Sequence, residues 1–122
     1  MEARSMALDE TAIRQTLAAY NAALNGGQAS AVLPLYTTDG ICMAPFSPSS
    51  IGHNALEQAY EGFFREMRFD VRFDIAEVAV VAPDWAFSVS EANQELFVMR
   101  KGDDGQWRIA RYSFSPTNSP GH

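Results

Sequence analysis

The stretch YNAALNGGQ, Tyr20–Gln28, ends an amphipathic helix with two glycines and sets the start of the fold. Apolar residues recur upstream at spacings of four, three and four, which is the pattern of one helix face: Ile13, Leu17, Tyr20 and Leu24. We predict a first helix from about Glu10 to Asn25, with Asp9 as its N-cap and Gly26 as the left-handed residue that ends it. Tyr20 is then either an ordinary core residue or a phenol directed into a pocket.

Two more helices and a strand are predicted after the glycines. A short second helix runs from Ser30, its expected N-cap, to Tyr36. The stretch GICMAP, Gly40–Pro45, is typical of a short strand, and Phe46–His53 is rich in proline and serine and predicts a loop. Ala55–Met67 carries a wide apolar stripe, which predicts the third helix.

The hydrophobic period changes to two at Phe69–Ile75, FDVRFDI, so this segment predicts a strand that continues to about Val81. Three more strands are predicted at residues 85–90, 92–101 and 106–115. The first two of these are joined almost directly, so either the hairpin is unusually short or the sequence lacks a loop there. The order of elements predicts an α+β fold in one domain, residues 1–122, with three N-terminal helices packed on a curved, mostly antiparallel sheet.

The composition excludes several partners. The chain has 122 residues and a net charge of −6, from 15 acidic and 9 basic residues. Nucleic acids and anionic membrane surfaces require clustered Lys and Arg, so we expect neither as a partner. Cys42 is the single cysteine, which rules out an intramolecular disulfide. Because the sequence has no signal core and no membrane-spanning run, we expect a cytoplasmic protein.

The predicted third strand of the meander is apolar on both faces. In Leu96–Met99, LFVM, successive side chains point to opposite faces, and all of them are apolar. We therefore expect a second copy of the chain to cover the outer face, giving a homodimer that packs sheet on sheet. The alternative is a well-covered central strand in a monomer.

The order of elements and several stretches resemble the nuclear-transport-factor-two-like superfamily, a cone-shaped α+β fold, over nearly the whole chain. Residues 18–40, AAYNAALNGGQASAVLPLYTTDG, and the helix opening at IGHNALEQAY resemble its SnoaL-like and ketosteroid-isomerase-like branch. Residues 92–118, ANQELFVMRKGDDGQWRIARYSFSPTN, resemble a subgroup known as SgcJ/EcaC-like. The resemblance implies a pocket inside the cone, but it does not specify a reaction because this fold hosts many activities.

Within that resemblance, Tyr20 falls on the oxyanion-hole tyrosine of ketosteroid isomerase. The other two catalytic groups are replaced: Ala44 stands at the general base, and Phe97 at the second, protonated aspartate. Without that base the isomerase reaction is not expected. The isomerase register also directs Asn93, Glu95, Phe97 and Met99 inward, so Glu95 is the best remaining carboxylate for acid–base work. Arg111 is its expected partner, and the pair could equally be a structural cross-strand ion pair.

The remaining polar residues offer no other chemistry. His53 has no Cys or His partner at ligand spacing, so no metal site is predicted. Cys42 lies on an apolar strand and is read as a core residue rather than a nucleophile. No cofactor motif is present.

The preferred hypothesis is a pocket protein that binds a small, largely apolar molecule. Glu95 and Tyr20 are the candidate catalytic residues, and the candidate ligand-binding residues are Tyr20, Phe46, Phe63, Trp85, Asn93, Phe97, Met99, Arg111 and Tyr112. The first alternative is an isomerase, cyclase or hydratase that acts on a polyketide-like, steroid-like or terpenoid substrate. The second is a protein-interaction module without a pocket.

Overall fold

Three helices precede most of the sheet. The computed structural model of the chain describes residues 2–91 and 94–115. In it α1 spans Glu2–Gly26, α2 spans Ala29–Val32 and α3 spans Gly52–Glu66, while Leu33–Leu35 forms a short 3-10 turn after α2. No helix in the described ranges is long and apolar enough to cross a membrane.

The described strands form one six-stranded sheet: β1 Tyr36–Met43, β2 Ser50–Ile51, β3 Ile75–Ala82, β4 Trp85–Ser90, β5 Glu95–Lys101 and β6 Trp107–Phe114. Their spatial order is β2-β1-β6-β5-β4-β3. The predicted antiparallel meander from β3 to β6 is confirmed, whereas β1 joins β6 in parallel and pairs with β2 on its other edge. The prediction of an α+β fold with helices on a curved, mostly antiparallel sheet is confirmed.

The first helix begins much earlier than predicted, so Asp9 is not its N-cap. Asp9 lies inside α1, where its carboxylate accepts hydrogen bonds from Trp107 Nε1 (3.0 Å) and Lys101 Nζ (3.2 Å). The helix also ends one residue later than expected. Gly27, and not Gly26, takes the left-handed conformation, with φ of 71°, and its amide donates to the carbonyls of Ala23 and Leu24. Asp9 therefore ties α1 to the sheet instead of starting the helix.

The second helix is shorter than predicted and the first strand is longer. Ser30 lies inside α2, whose N-cap is Gln28 without a side-chain hydrogen bond. Pro34 occupies the start of the 3-10 turn, where its missing amide hydrogen costs nothing. The chain becomes extended at Tyr36, so this tyrosine opens β1 and its side chain is buried.

The segment predicted to open the meander is extended but belongs to no strand. Met67–Asp74, which we call the strap, runs from the end of α3 to β3 without pairing with another strand. Burial nevertheless alternates along the strap as predicted: the apolar residues Phe69, Val71 and Phe73 are half-buried, while Asp70 and Arg72 are exposed. One side of the strap thus faces the interior, as the alternation indicated.

The β4–β5 hairpin is short: Ser90 and Glu95 are the last paired residues before the turn. Ala92 and Asn93 lie outside the described residues. On the inner face of the sheet, Phe97 and Met99 are fully buried. On the outer face, Leu96 is 44% exposed, so the apolar outer face of β5 is open in the single chain.

Candidate functional site

A small cavity lies between α1, α3, the strap and the inner face of β5 and β6. Its volume is about 60 Å³. Its walls are mostly aromatic and apolar, and its lining residues are Tyr20, Leu24, Tyr60, Phe63, Phe69, Val71, Phe73, Glu95, Tyr112 and Phe114. The polar atoms among these side chains are three phenol hydroxyls and one carboxylate, and the sheet and both long helices contribute to them.

Three buried tyrosine hydroxyls meet at one end of this cavity. The hydroxyl of Tyr60, on α3, bonds both to that of Tyr20, on α1, and to that of Tyr36, at the start of β1 (2.7 Å). Tyr60 also lies 3.9 Å from Sγ of Cys42. Tyr20 and Tyr60 line the cavity, whereas Tyr36 does not. The three residues form what we call the tyrosine cluster.

The tyrosine cluster is a set of neutral hydrogen-bond donors. Burial is the main cause that raises the pKa of Tyr20, Tyr36 and Tyr60 well above the ordinary value of tyrosine, and the proximity of Cys42 adds to it. The phenols therefore stay protonated at physiological pH and cannot act as bases. Burial likewise raises the pKa of the Cys42 thiol, so Cys42 is a buried thiol rather than a nucleophilic thiolate.

Glu95 also lines the cavity and is 3% exposed. The hydroxyl of Tyr112 donates to its Oε2 at 3.3 Å. Burial, followed by the proximity of Tyr20 and Glu95, raises the pKa of Tyr112, so this phenol is also neutral. The cavity is thus lined by the carboxyl group of Glu95, by the phenol that donates to it, and by Tyr20 and Tyr60 of the tyrosine cluster.

Arg111 is not the partner of Glu95, contrary to prediction. In the β5–β6 register Arg111 stands opposite Val98, and Glu95 opposite Phe114. Because alternate residues of a strand point to opposite faces, Arg111 lies on the outer face while Tyr112 points inward. The guanidinium of Arg111 donates to the carbonyls of Asp39 (3.2 Å) and Ala110 (2.6 Å).

The structure brings together four of the predicted site residues: Tyr20, Phe63, Glu95 and Tyr112 all line the cavity. Phe97 and Met99 point inward as expected but lie beneath the cavity wall. The ring of Phe97 stacks on that of Tyr112 with centroids 4.4 Å apart. Phe97 stands where the resemblance implies an aspartate, and here it packs against a residue that lines the cavity.

Two predicted aromatic residues lie away from the cavity. Phe46 is 90% exposed in the loop after β1, where its φ is 61°. Trp85 is on the outer face of β4, where the guanidinium carbon of Arg100 lies 5.3 Å from its ring centroid. Asn93 lies outside the described residues. Aromatic type alone does not reveal which face of a strand or loop a side chain occupies, so the sequence does not separate these two residues from those that line the cavity.

Several residues of the cavity and of the tyrosine cluster are not predicted as part of a site. Tyr60 lies within the predicted third helix, and Tyr36 ends the predicted second helix. A hydroxyl on a fully buried helix face needs a hydrogen-bond partner. That requirement is a signal in the sequence that could have indicated a buried polar cluster. The strap residues were assigned to a paired strand. Among the described residues, no group of three His, Cys, Asp or Glu side chains could hold a metal ion.

Comparison with known proteins places this geometry in a family. A family model described as "SnoaL-like domain" matches residues 17–114. A ketosteroid isomerase-like protein from Erwinia carotovora atroseptica SCRI1043 has a similar structure, with a TM-score of 0.82 and 32% identity over 89% of this chain and 96% of that one.

Two more distant structures show the same fold. A cystatin-like-fold domain of unknown function from Nostoc punctiforme has a TM-score of 0.78 and 17% identity over 93% of this chain and 80% of that one. An NTF-2-like protein of unknown function from Shewanella oneidensis has a TM-score of 0.75 and 19% identity, over 88% and 98%. No curated protein matches the chain. The family model and the Erwinia structure together show that this chain belongs to the SnoaL-like family.

Proposed function

We propose that the cavity binds a small, largely apolar molecule that carries an oxygen able to accept a hydrogen bond. The observation that carries this proposal is the position of Tyr20, whose hydroxyl belongs to the tyrosine cluster and whose side chain lines the apolar cavity. Binding sites for small molecules are mostly apolar, with a few polar groups that fix the orientation of the ligand. Here the phenylalanines would provide the apolar contacts and Tyr20 the orienting donor.

The tyrosine cluster would make Tyr20 a stronger donor than an isolated phenol. Hydrogen bonds in a chain polarise one another, and the effect is larger where water is absent. If Tyr36 donates to Tyr60 and Tyr60 to Tyr20, the proton of Tyr20 is left for the ligand oxygen. A carbonyl, an enol or a phenol on the ligand would supply such an oxygen.

The first experiment is a thermal-shift panel of steroids, polyketide-like aromatic compounds, terpenoids and fatty acids. A ligand at 100 times its dissociation constant adds about 2.7 kcal/mol to the free energy of unfolding. We expect one of these classes to bind, and Tyr20→Phe to weaken that binding by about 1 kcal/mol, or roughly fivefold. Tyr36→Phe is the comparison variant: it removes a hydroxyl from the same cluster but not from the cavity wall, so it should weaken binding less than Tyr20→Phe does. No shift across the panel would count against the pocket and favour the protein-interaction alternative.

A second candidate function is acid–base catalysis by Glu95. The observation that favours it is that Glu95 and Tyr20 line the same cavity. Glu95 would remove a proton from the carbon next to a ligand carbonyl, and Tyr20 would donate a hydrogen bond to the resulting enolate oxygen. Return of the proton from Glu95 to carbon would regenerate the enzyme and give either the starting ketone or its isomer.

Deuterium exchange separates catalysis from binding. In D₂O the active protein should exchange the α-hydrogens of a bound ketone such as 2-tetralone, which NMR detects. Glu95→Gln should abolish the protein-dependent exchange and leave binding intact. Tyr20→Phe should slow it by roughly 10²–10³-fold, the usual effect of losing an oxyanion donor. Exchange that survives in Glu95→Gln would remove Glu95 from the mechanism.

We further propose that the protein is a homodimer through the outer face of the sheet. The exposed Leu96 and the half-buried Phe87, Val89 and Val98 form an apolar area there, and a second copy would cover it. Assignment to the SgcJ/EcaC-like subgroup and a cytoplasmic location remain predictions from the sequence.

A further inference from the structure

Hydrogen bonds to α3 and to the end of β4 attach the strap at its two ends. At its start, the amide of Met67 donates to the carbonyl of Phe63 at the end of α3 (2.9 Å). At its end, the amide of Asp74 donates to Oγ of Ser90 (3.1 Å), and the amide of Glu91 donates to the carbonyl of Asp74 (3.0 Å). Between these points the strap pairs with none of the described strands.

Two asparagine side chains on α1 hold the middle of the strap. Asn21 donates from Nδ2 to the carbonyl of Val71 (2.9 Å) and accepts at Oδ1 from the amide of Phe73 (2.8 Å). Asn25 donates to the same carbonyl of Val71 (2.9 Å) and accepts from the amide of Val71 (2.8 Å). Residues four apart share one face of a helix, so Asn21 and Asn25, which we call the latch, together replace a missing neighbouring strand.

The held segment is a wall of the cavity. Phe69, Val71 and Phe73 all line it, and the ring of Phe73 stacks on Tyr20, with centroids 5.8 Å apart and an angle of 5° between the planes. The latch residue Asn21 is next to Tyr20 on α1. The same turns of α1 therefore carry both the orienting phenol and the groups that hold the strap.

We propose that the latch controls the entry and the size of the ligand: release of the strap from Asn21 and Asn25 opens the cavity, and reclosing holds the ligand against Tyr20. This inference rests on the proposed binding function. The cavity of about 60 Å³ is smaller than the roughly 300–1,000 Å³ of ligand-sized pockets. A ligand with a ring system therefore requires one wall to move, and the strap is the wall whose backbone is held by side chains and not by a β-ladder.

Hydrogen exchange tests the opening of the strap without any ligand. We expect the amides of Val71 and Phe73 to exchange through local opening, at a rate that low urea does not change, and at least tenfold faster than those of Phe97 and Met99 in β5. Exchange of Val71 and Phe73 only through global unfolding, at the rate of the β5 amides, would overturn the proposal.

Association kinetics test the consequence for binding. With 2-naphthol as the probe, followed by its fluorescence in a stopped-flow instrument, we expect Asn21→Ala/Asn25→Ala to raise the association rate constant at least fivefold. Asn25→Asp is the milder variant should the double variant not fold: it keeps the acceptor for the Val71 amide and loses the donor to the Val71 carbonyl, so we expect a smaller rise. Gln15→Ala, exposed on the same helix, is the matched control and should leave the rate constant unchanged.

The outcomes of the two measurements separate the latch from the proposed function. An association rate constant that stays at the wild-type value in the latch variants would overturn the role of the latch even if 2-naphthol binds. If 2-naphthol and the ligand panel fail to bind, the proposed function fails, and the exchange rates of Val71 and Phe73 alone decide whether the strap opens.

Discussion

At the scale of single residues, the tyrosine cluster is the feature with the clearest measurable consequence. Three neutral phenols from α1, β1 and α3 share hydrogen bonds inside the protein, and Tyr112 lies on the same cavity. In the unfolded chain these phenols ionise with a pKa near 10. In the folded protein burial raises the pKa of each of them, so the folded state holds their protons more tightly.

This difference predicts a loss of stability at alkaline pH. The stabilisation from a raised pKa is complete below pH 10 and falls as pH rises above that value, because the unfolded state alone releases the protons. Each buried tyrosine should lower the free energy of unfolding by about 1.4 kcal/mol per pH unit above 10. Urea unfolding at pH 8 to 11, with absorbance at 295 nm to report tyrosinate, measures this. Tyr36→Phe should reduce the slope, and a stability that is flat to pH 11 would contradict the burial of the cluster.

A second residue-scale prediction concerns Phe97. Its fully buried ring stacks on Tyr112 and contacts Tyr20 and Phe73 edge-on. Phe97→Ala should therefore cost about 3–5 kcal/mol of unfolding free energy, measured by urea denaturation. Phe46→Ala is the control with the same chemistry at an exposed site and should cost little. Equal effects of the two substitutions would show that Phe97 is not packed as described.

At the scale of elements, the two glycines after Asn25 have different backbone conformations. Gly26 belongs to α1, whereas Gly27 has a positive φ of 71°. Gly26→Ala should stabilise the protein by roughly 0.5–1 kcal/mol, because alanine favours the helix and restricts the unfolded chain. Gly27→Ala should destabilise it by about 1–2 kcal/mol, the cost of a Cβ in the left-handed region. Thermal unfolding of the pair measures both, and the same sign for both would contradict the described end of α1.

The junction between α1 and the sheet rests on Asp9. Its carboxylate accepts from both Trp107 and Lys101. Asp9→Ala leaves the indole N–H of Trp107 unpaired and should cost about 1–3 kcal/mol, whereas Asp9→Asn retains an acceptor and should cost less. Urea unfolding followed by tryptophan fluorescence compares the two. If the variants were equally stable, the indole hydrogen bond would contribute nothing.

Local sequence patterns were sufficient to predict the helices and most of the strands, but not the contacts between residues that are far apart in the chain. The period of 3.6 placed Tyr20 on a buried face, and the period of two placed Phe69, Val71 and Phe73 on one side of an extended segment. The role of Asp9 was mispredicted because its partners are about ninety residues away in the chain, and no local pattern encodes them. The tyrosine cluster was missed for the same reason, since each phenol belongs to a different element.

At the scale of the whole molecule, the antiparallel meander was predictable because consecutive strands usually pair. The parallel pairing of β1 with β6 was not, since these strands are far apart in the sequence and no local turn signal joins them. The strap was assigned to a strand because its alternation is that of a half-buried strand, although its hydrogen bonds go to asparagine side chains. An alternation of apolar and polar residues indicates which side of a segment is buried, but it does not indicate which groups form hydrogen bonds with the backbone.

The proposed dimer is tested on the intact protein. Light scattering after size exclusion should give twice the mass of the chain, and Leu96→Glu should return it to the mass of one chain because the charge would be buried between the sheets. Leu8→Glu, also at an exposed leucine but on α1, should leave the dimer intact. A wild-type protein with the mass of one chain would disprove the dimer.

The position of β6 in the sheet has a consequence for biosynthesis. Of the described strands, β6 is the last to leave the ribosome, yet it lies between β1, the first of them to emerge, and β5. Until residue 114 is translated, one edge of β1 has only the two-residue β2 beside it and the other edge is open. An open strand edge is a template for aggregation, so a nascent chain stalled before Trp107 would be a substrate for chaperones and proteases, with its sheet in two separate parts.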